Sequence, residues 1–283
     1  MGSGGYSVTN RCVRTESYKT KSAAEIFPER DINSAMSPYK IGIRESRDSS
    51  EHPNSVAIIV GLDETGSMLT VPQFLIKEGL PHMMQKIIDS GISDPQVLFL
   101  GIGDHEYDRA PLQVGQFESS DELLDFWLTK VFLEGKGGGN DGESYSLAHL
   151  FAAKYTAIDC FEKRNQKGIL ITIGDEKTLT HYSSSMLKNL LGDDEYHDYS
   201  SSELMTMASE KYEIYHLHIK ETRAGHDTST IRDWNELLGD HLIVIESRDQ
   251  VADKIAEIVV NCVKPVTTPI IGVEPKVSIP NML

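Results

Sequence analysis

The segment Asp63-Glu64-Thr65-Gly66-Ser67 places a carboxylate and two hydroxyls directly after the apolar run 56–62, Val-Ala-Ile-Ile-Val-Gly-Leu. Such donors have little structural use in one tight loop, but they suit a hard divalent cation, which takes oxygen ligands. A second carboxylate, Asp175, follows another apolar run over 168–173. A third polar group, Asn140, Asp141 and Glu143, lies where the glycine-rich segment 135–143 meets a helical pattern, and Asp104 follows a third apolar run over 96–102.

Each of these has a plainer reading. Asp63, Thr65 and Ser67 could cap a helix, their oxygens accepting from free N–H groups. One cap does not need three such residues and Asp175 as well, so ligation is preferred. For Asn140, Asp141 and Glu143 both readings stand, a cap for a helix over 144–163 or a set of ligands. Asp104 reads as a solvated turn, and the acidic run 193–198 as a solvated loop. His216 and His218 share one face of a strand; that spacing can bind zinc, but packed histidines are the preferred reading.

The elements that must position these groups alternate along the chain. Apolar runs predict strands at 55–62, 96–102 and 168–173, further strands are expected at 212–219 and 241–245, and 111–117 alternates like a short antiparallel edge strand. Between them, helical patterns cover 120–132, 144–163, 180–202 with an acidic interruption, 231–238 and 249–262. The helix after the first strand can start at a Thr70 cap with Pro72 in its first turn. Its buried stripe is Ile76, Leu80, Met83, Met84, Ile87 and Ile88, and Gly79 and Pro81 should kink it. Alternating strands and helices imply an α/β fold, a doubly wound, mainly parallel sheet with one antiparallel edge strand. Ligands of such sheets bind outside the carboxyl ends of the strands, where Asp63, Asp104 and Asp175 would meet.

Three regions follow: a polar N-terminal arm over 1–50 with an edge-strand candidate at 39–44, an α/β domain over 51–263, and a tail over 264–283. The tail carries Pro265, Pro269, Pro275 and Pro280 and is expected to be extended.

The charge balance is 27 basic against 43 acidic residues, a net of −16. No basic stripe is present to neutralise phosphates, so nucleic acid is not an expected partner, nor is an anionic membrane surface. Cys12, Cys160 and Cys262 are odd in number and lack metal spacing; Cys160 and Cys262 fall in apolar helical patterns, as small buried hydrophobes do. A reducing, cytoplasmic setting fits, as does the absence of an apolar targeting segment near the N-terminus or of a run long enough to span a bilayer.

Asp63-x-Thr65-x-Ser67 after the first strand, with Asp175 after the fourth parallel-strand position, resembles the metal-ion-dependent adhesion site of von Willebrand factor type A domains over about residues 54–262. In that family the first motif is Asp-x-Ser/Thr-x-Ser and the third is an Asp at a strand end. The second is usually a Thr in a glycine-rich loop. Here the loop reads Gly137-Gly138-Gly139-Asn140-Asp141-Gly142-Glu143-Ser144 without a Thr, so Asn140, Asp141 or Glu143 takes that place or leaves it empty. The resemblance implies a Rossmann-like fold of the intracellular type and an ion held by Asp63, Thr65, Ser67, Asp175 and the Asn140/Asp141 loop. Mg²⁺ is the expected cofactor, with Mn²⁺ or Ca²⁺ as alternatives. It also implies protein–protein interaction in which a partner's acidic side chain completes the ion's shell, with partners in multi-protein assemblies such as those built around AAA+ ATPases.

A different class also fits the loop. Asp63-Glu64-Thr65-Gly66-Ser67 resembles the phosphorylated loop of haloacid-dehalogenase-like phosphatases, in which the Asp is a nucleophile beside Mg²⁺. Those enzymes need a second Asp two residues on, where Thr65 stands, and no lysine after a strand takes the phosphate-stabilising role. Glu64 would repel an incoming phosphate. A binding module rather than an enzyme is therefore expected.

Overall fold

The computed structural model describes residues 5–135, 139–140, 142–192 and 195–263. Asp141 and the tail over 264–283 lie outside the described residues, so the readings made for them are not addressed by it.

Six strands form one sheet: β1 (Val56–Asp63), β2 (Pro95–Ile102), β3 (Leu112–Val114), β4 (Gly168–Gly174), β5 (Tyr212–Ile219) and β6 (Leu242–Ile245). Their spatial order is β6-β5-β4-β1-β2-β3. All neighbours are parallel except β3, which runs antiparallel to β2. The fold is thus α/β with a mainly parallel sheet and one antiparallel edge strand. β1, β2 and β4 are buried along their whole length, which is why they read as unbroken apolar runs rather than alternating ones.

Because side chains alternate across a strand, β1 feeds two cores. Ile58, Val60 and Leu62 pack with the helix stripe Leu80, Met83, Met84 and Ile87 and with Ile255 and Val259. Ala57 and Ile59 face Leu147, Leu150, Phe151 and Leu170 on the other side. Burial of each large aliphatic side chain contributes about 1.5–3 kcal/mol, so the sheet's backbone position is over-determined from both faces. The main helices are α1 (Val8–Tyr18), α2 (Leu80–Asp89), α3 (Asp121–Thr129), α4 (Ser146–Lys154), α5 (Ser201–Ser209), α6 (Thr228–Leu238) and α7 (Val251–Cys262).

Several local expectations change. The N-terminal region holds a helix, α1, packed on the domain, and its strand is Arg44–Ser46 rather than 39–44. That strand pairs in parallel with Thr156–Ile158. The helix expected over 144–163 is therefore broken: the β-branched Thr156 and Ile158 leave the helical path for this pairing, and helix resumes at Asp159–Arg164. Around the acidic stretch, helix Ser184–Leu191 and α5 flank a short strand, Tyr199–Ser200. The expected kink near Gly79 takes the form of a π turn, Leu75–Gly79, between Thr70–Phe74 and α2. A Cβ on Gly79 would press on Phe74, Leu75 and Ala252. Thr70 is the first residue of its helix rather than its cap, which is Leu69 with no side-chain capping bond. No helix among the described residues is long and apolar enough to cross a membrane.

Candidate metal centre

Chain order and spatial order diverge between β1 and β4. From β1 the chain moves outward to β2 and β3, then returns to place β4 on β1's other side. The crevice at such a switch point is where open α/β sheets bind ligands. β1 ends in Asp63, and Asp175 follows β4 directly. The register pairs Leu62 with Ile173, so the two carboxylates leave neighbouring strands almost level.

Both are buried, Asp63 at 1% and Asp175 at 0% exposure. Asp63 Oδ1 accepts from the Thr65 amide at 2.9 Å and the Thr65 hydroxyl at 2.6 Å. Asp63 Oδ2 accepts from the Tyr145 hydroxyl at 2.6 Å. Ser67 Oγ crosses from the first loop to donate to Asp175 Oδ2 at 2.8 Å, and the Thr222 hydroxyl donates to the same oxygen. Asp175 Oδ1 is buried with no hydrogen-bond partner among the described residues. Thus the loops after β1, β4 and β5, and the residue before α4, converge on two carboxylates.

The electrostatics are those of uncompensated negative charge. Burial, and then the neighbouring Asp175, push the Asp63 carboxyl up to about 7, against the lowering effect of its hydrogen bonds. Burial, then Asp63, push Glu143 up to about 11, and Glu143 Oε2 also lacks a partner among the described residues. Glu64 is held well above the usual carboxylate range by burial and then by Asp63. It accepts from Gln113 Nε2, and its Oε1 lies so close to Gly101 that any side chain there would collide with it. Tyr145 is likewise pushed far up by burial and by Asp63.

The donor set fits a hard divalent cation: two buried carboxylates, one with a free buried oxygen, and two adjacent hydroxyls. Among the described residues no three of His, Cys, Asp and Glu form a metal-binding group by themselves, so such a site depends on Thr65 and Ser67 for neutral oxygens.

The remaining sequence candidates are placed as follows. Asn140 is turned toward the loop after β2, its Nδ2 donating to Glu106 at 2.9 Å and its Oδ1 accepting from Gly142 N at 3.1 Å. Glu143 forms with Gly142 a short strand parallel to Lys177–Thr178. Asp104 makes a turn in which Oδ1 accepts from the Glu106 amide at 2.8 Å. His216 and His218 are fully buried; His216 stacks on Trp234 with centroids 3.8 Å apart, and its Nδ1 meets Thr172 Oγ1 at 2.8 Å. His218 Nε2 meets the Gly225 carbonyl at 2.9 Å. Both are packed histidines, held below their ordinary pKa by burial.

Two residues of the centre were not singled out from sequence. Tyr145 falls within the helical pattern over 144–163, and its place at the exit of the glycine-rich segment is the signal that marks it. Thr222 follows the carboxyl end of β5, the edge where ligands are expected, and a search of every such strand end for hydroxyls would have found it.

No family model and no curated protein matches the chain. Among solved structures, the pilus adhesin SpaC from Lactobacillus rhamnosus GG in its open conformation aligns over 78% of this chain and 31% of its own, with 11% identity and a TM-score of 0.48. A von Willebrand factor type A structure from Catenulispora acidiphila aligns over 74% of this chain and 43% of its own, with 13% identity and a TM-score of 0.43. Proximal thread matrix protein 1 from the mussel byssus aligns over 74% and 48%, with 11% identity and a TM-score of 0.42. This chain therefore spans less than half of each of those chains.

Proposed function

We propose that the chain is a metal-dependent protein-interaction module of the von Willebrand factor type A kind, with Mg²⁺ held by Asp63, Thr65, Ser67 and Asp175. The observation that carries this reading is the pair of buried carboxylates at the switch point, with Asp175 Oδ1 lacking a partner among the described residues. Asp63, Asp175, Thr65 and Ser67 would hold the ion, which would supply Lewis acidity toward an oxygen of a partner's carboxylate. Asp63 and Asp175 provide the anionic ligands, Thr65 and Ser67 the neutral ones, and Tyr145 and Thr222 hold the carboxylates in place. The two ligand carboxylates would formally balance the ion's charge, so recognition would come from direct coordination of a partner's carboxylate oxygen rather than from residual net charge.

The binding reading is preferred over phosphoryl transfer because Thr65, whose hydroxyl donates to Asp63 Oδ1, stands where those enzymes need a second Asp. Calorimetric titration of Mg²⁺ into the wild type and Asp63→Ala is the test. Heat is expected only in the wild type, and equal heats would sink the site. Formation of an acyl-phosphate on Asp63 would instead establish the enzyme reading.

A further inference from the structure

We infer that Arg223 makes the centre selective for a partner segment carrying two neighbouring carboxylates, one for the ion and one for the Arg223 guanidinium. This rests on the metal-binding reading above and names the partner chemistry it implies.

A cavity of about 500 Å³ opens beside the centre, lined by Ser67, Asp175, Glu176, Arg223, Asp227 and Thr230. At roughly 30 Å³ per water, it has room for on the order of fifteen waters, far more than one carboxylate needs. It is continuous with the centre, because Ser67 and Asp175 form part of its wall, and Asp175 is the fully buried residue whose Oδ1 has no partner among the described residues.

Arg223 is the cationic side chain in that wall, and it forms no ion pair with the described acidic residues around it. Three of those residues, Asp175, Asp227 and Glu221, are held by other groups. Asp175 Oδ2 is held by Ser67 and Thr222. The Asp227 carboxylate caps α6, accepting from the Ser229 amide at 2.9 Å, the Ser229 hydroxyl at 2.8 Å and the Thr230 hydroxyl at 3.3 Å. Glu221, two residues before Arg223, is taken by Arg248.

The backbone that carries Arg223 is pinned. Thr222 is anchored on Asp175, and its hydroxyl accepts from the Gly225 amide at 3.0 Å. Gly225 is packed so tightly on the Ile219 carbonyl that no side chain fits there. The exposed guanidinium is therefore carried on a fixed backbone, one residue from a group that touches a proposed metal ligand. It is always charged, and its planar fork matches a carboxylate bidentately. In a chain of net charge −16, with Asp175, Glu176 and Asp227 in the same wall, a second acidic group on the partner is repelled unless it meets Arg223.

The test uses the full chain saturated with Mg²⁺ and three acetylated peptide amides: Gly-Glu-Gly, Glu-Glu and Glu-Gly-Glu. Affinities are read by NMR titration, with and without EDTA, and Mg²⁺ binding is read separately by calorimetry. At least one two-carboxylate peptide is expected to bind on the order of fivefold more tightly than Gly-Glu-Gly, the upper range for a solvent-accessible ion pair. Arg223→Gln should erase that advantage without weakening Mg²⁺ binding, and Arg223→Lys should retain part of it. Equal affinities for all three peptides, or an advantage that survives Arg223→Gln, overturns the inference while leaving the metal site intact. Absence of Mg²⁺ binding in the wild type overturns the metal reading and this inference with it.

Discussion

The Tyr145 hydroxyl donates a 2.6 Å hydrogen bond to Asp63 Oδ2, tying the start of α4 to the loop after β1. Tyr145 is itself fixed from three directions. Its ring meets His216 and Trp234 edge-on, at centroid distances of 5.1 and 5.5 Å, and a Cβ on Gly174 would run into its hydroxyl. The first proposed ligand is thus oriented by an aromatic cluster in the core rather than by solvent.

Tyr145→Phe should therefore keep the fold and lose a hydrogen bond to a buried carboxylate. The expected cost is about 1–3 kcal/mol in urea unfolding of the metal-free protein. The ring contacts remain, so the spectroscopic signature of the native core should not change. Mg²⁺ affinity should fall as well, because Asp63 Oδ2 loses its positioning contact. Unchanged stability and unchanged Mg²⁺ affinity would show that the bond contributes nothing.

What was legible in the sequence follows from where the physics is local. β1, β2 and β4 announce themselves as apolar runs, and the polar residues that follow or end them, Asp63, Asp104 and Asp175, are placed on one edge by parallel strand direction alone. That edge does not distinguish ligands from turns: Asp104 closes on its own loop through Glu106, whereas Asp63 and Asp175 share the switch point between β1 and β4. Strand order, which sets this difference, is a long-range property. Thr222 and Tyr145 were hidden for the same reason, being 47 and 82 positions from the carboxylates they touch. The break in the helix after Lys154 depends on pairing with Arg44–Ser46, a partner more than a hundred residues away in sequence. The polar composition of the first 50 residues concealed α1, because its anchor is a buried arginine rather than an apolar stripe.

Mg²⁺ binding should depend on pH through Asp63. Burial and Asp175 push this carboxyl up to about 7, and ligation requires it ionised. Below that value the ion must displace a proton, so affinity should fall by about tenfold per pH unit at most and level off above it. Calorimetry at pH 6 in buffers of different ionisation enthalpy should report release of up to one proton, shrinking toward none by pH 8. A pH-independent affinity with no proton release would contradict this.

Glu64→Gln should stabilise the protein at pH 8 and have little effect near pH 4. Burial raises the folded-state pKa of Glu64 well above the ordinary 4.5. Below the ordinary value both folded and unfolded states hold the proton, and there is no penalty. As pH rises above it, the unfolded chain ionises first while the folded chain keeps its proton, so wild-type stability falls, by about 1.4 kcal/mol per pH unit until the folded pKa is reached. The amide removes that dependence and can still accept from Gln113. The comparison is the difference in melting temperature between variant and wild type in EDTA across pH 4–8. A difference that does not grow with pH would show that Glu64 is ionised in the fold.

The N-terminal helix should prove integral to the domain. Arg11 is fully buried; its Nη1 donates to Asp125 Oδ1 in α3 at 2.6 Å, and its Nη2 to the Ile76 carbonyl within the π turn. Tyr18 adds a 2.7 Å bond to the other oxygen of Asp125. Arg11 thus satisfies a carbonyl of the irregular turn through which the helix after the Asp63 loop must pass. Arg11→Ala leaves Asp125 buried without its cation, and such a truncation costs about 3–5 kcal/mol. Replacing both partners, in Arg11→Met with Asp125→Leu, should recover part of that loss, since an apolar pair buries no charge, while the Ile76 carbonyl and the Tyr18 hydroxyl lose their partners. Urea unfolding of Arg11→Met, Asp125→Leu and the double variant, beside wild type, forms the cycle. If Arg11→Ala unfolds at the wild-type midpoint, the helix contributes nothing to the domain's stability.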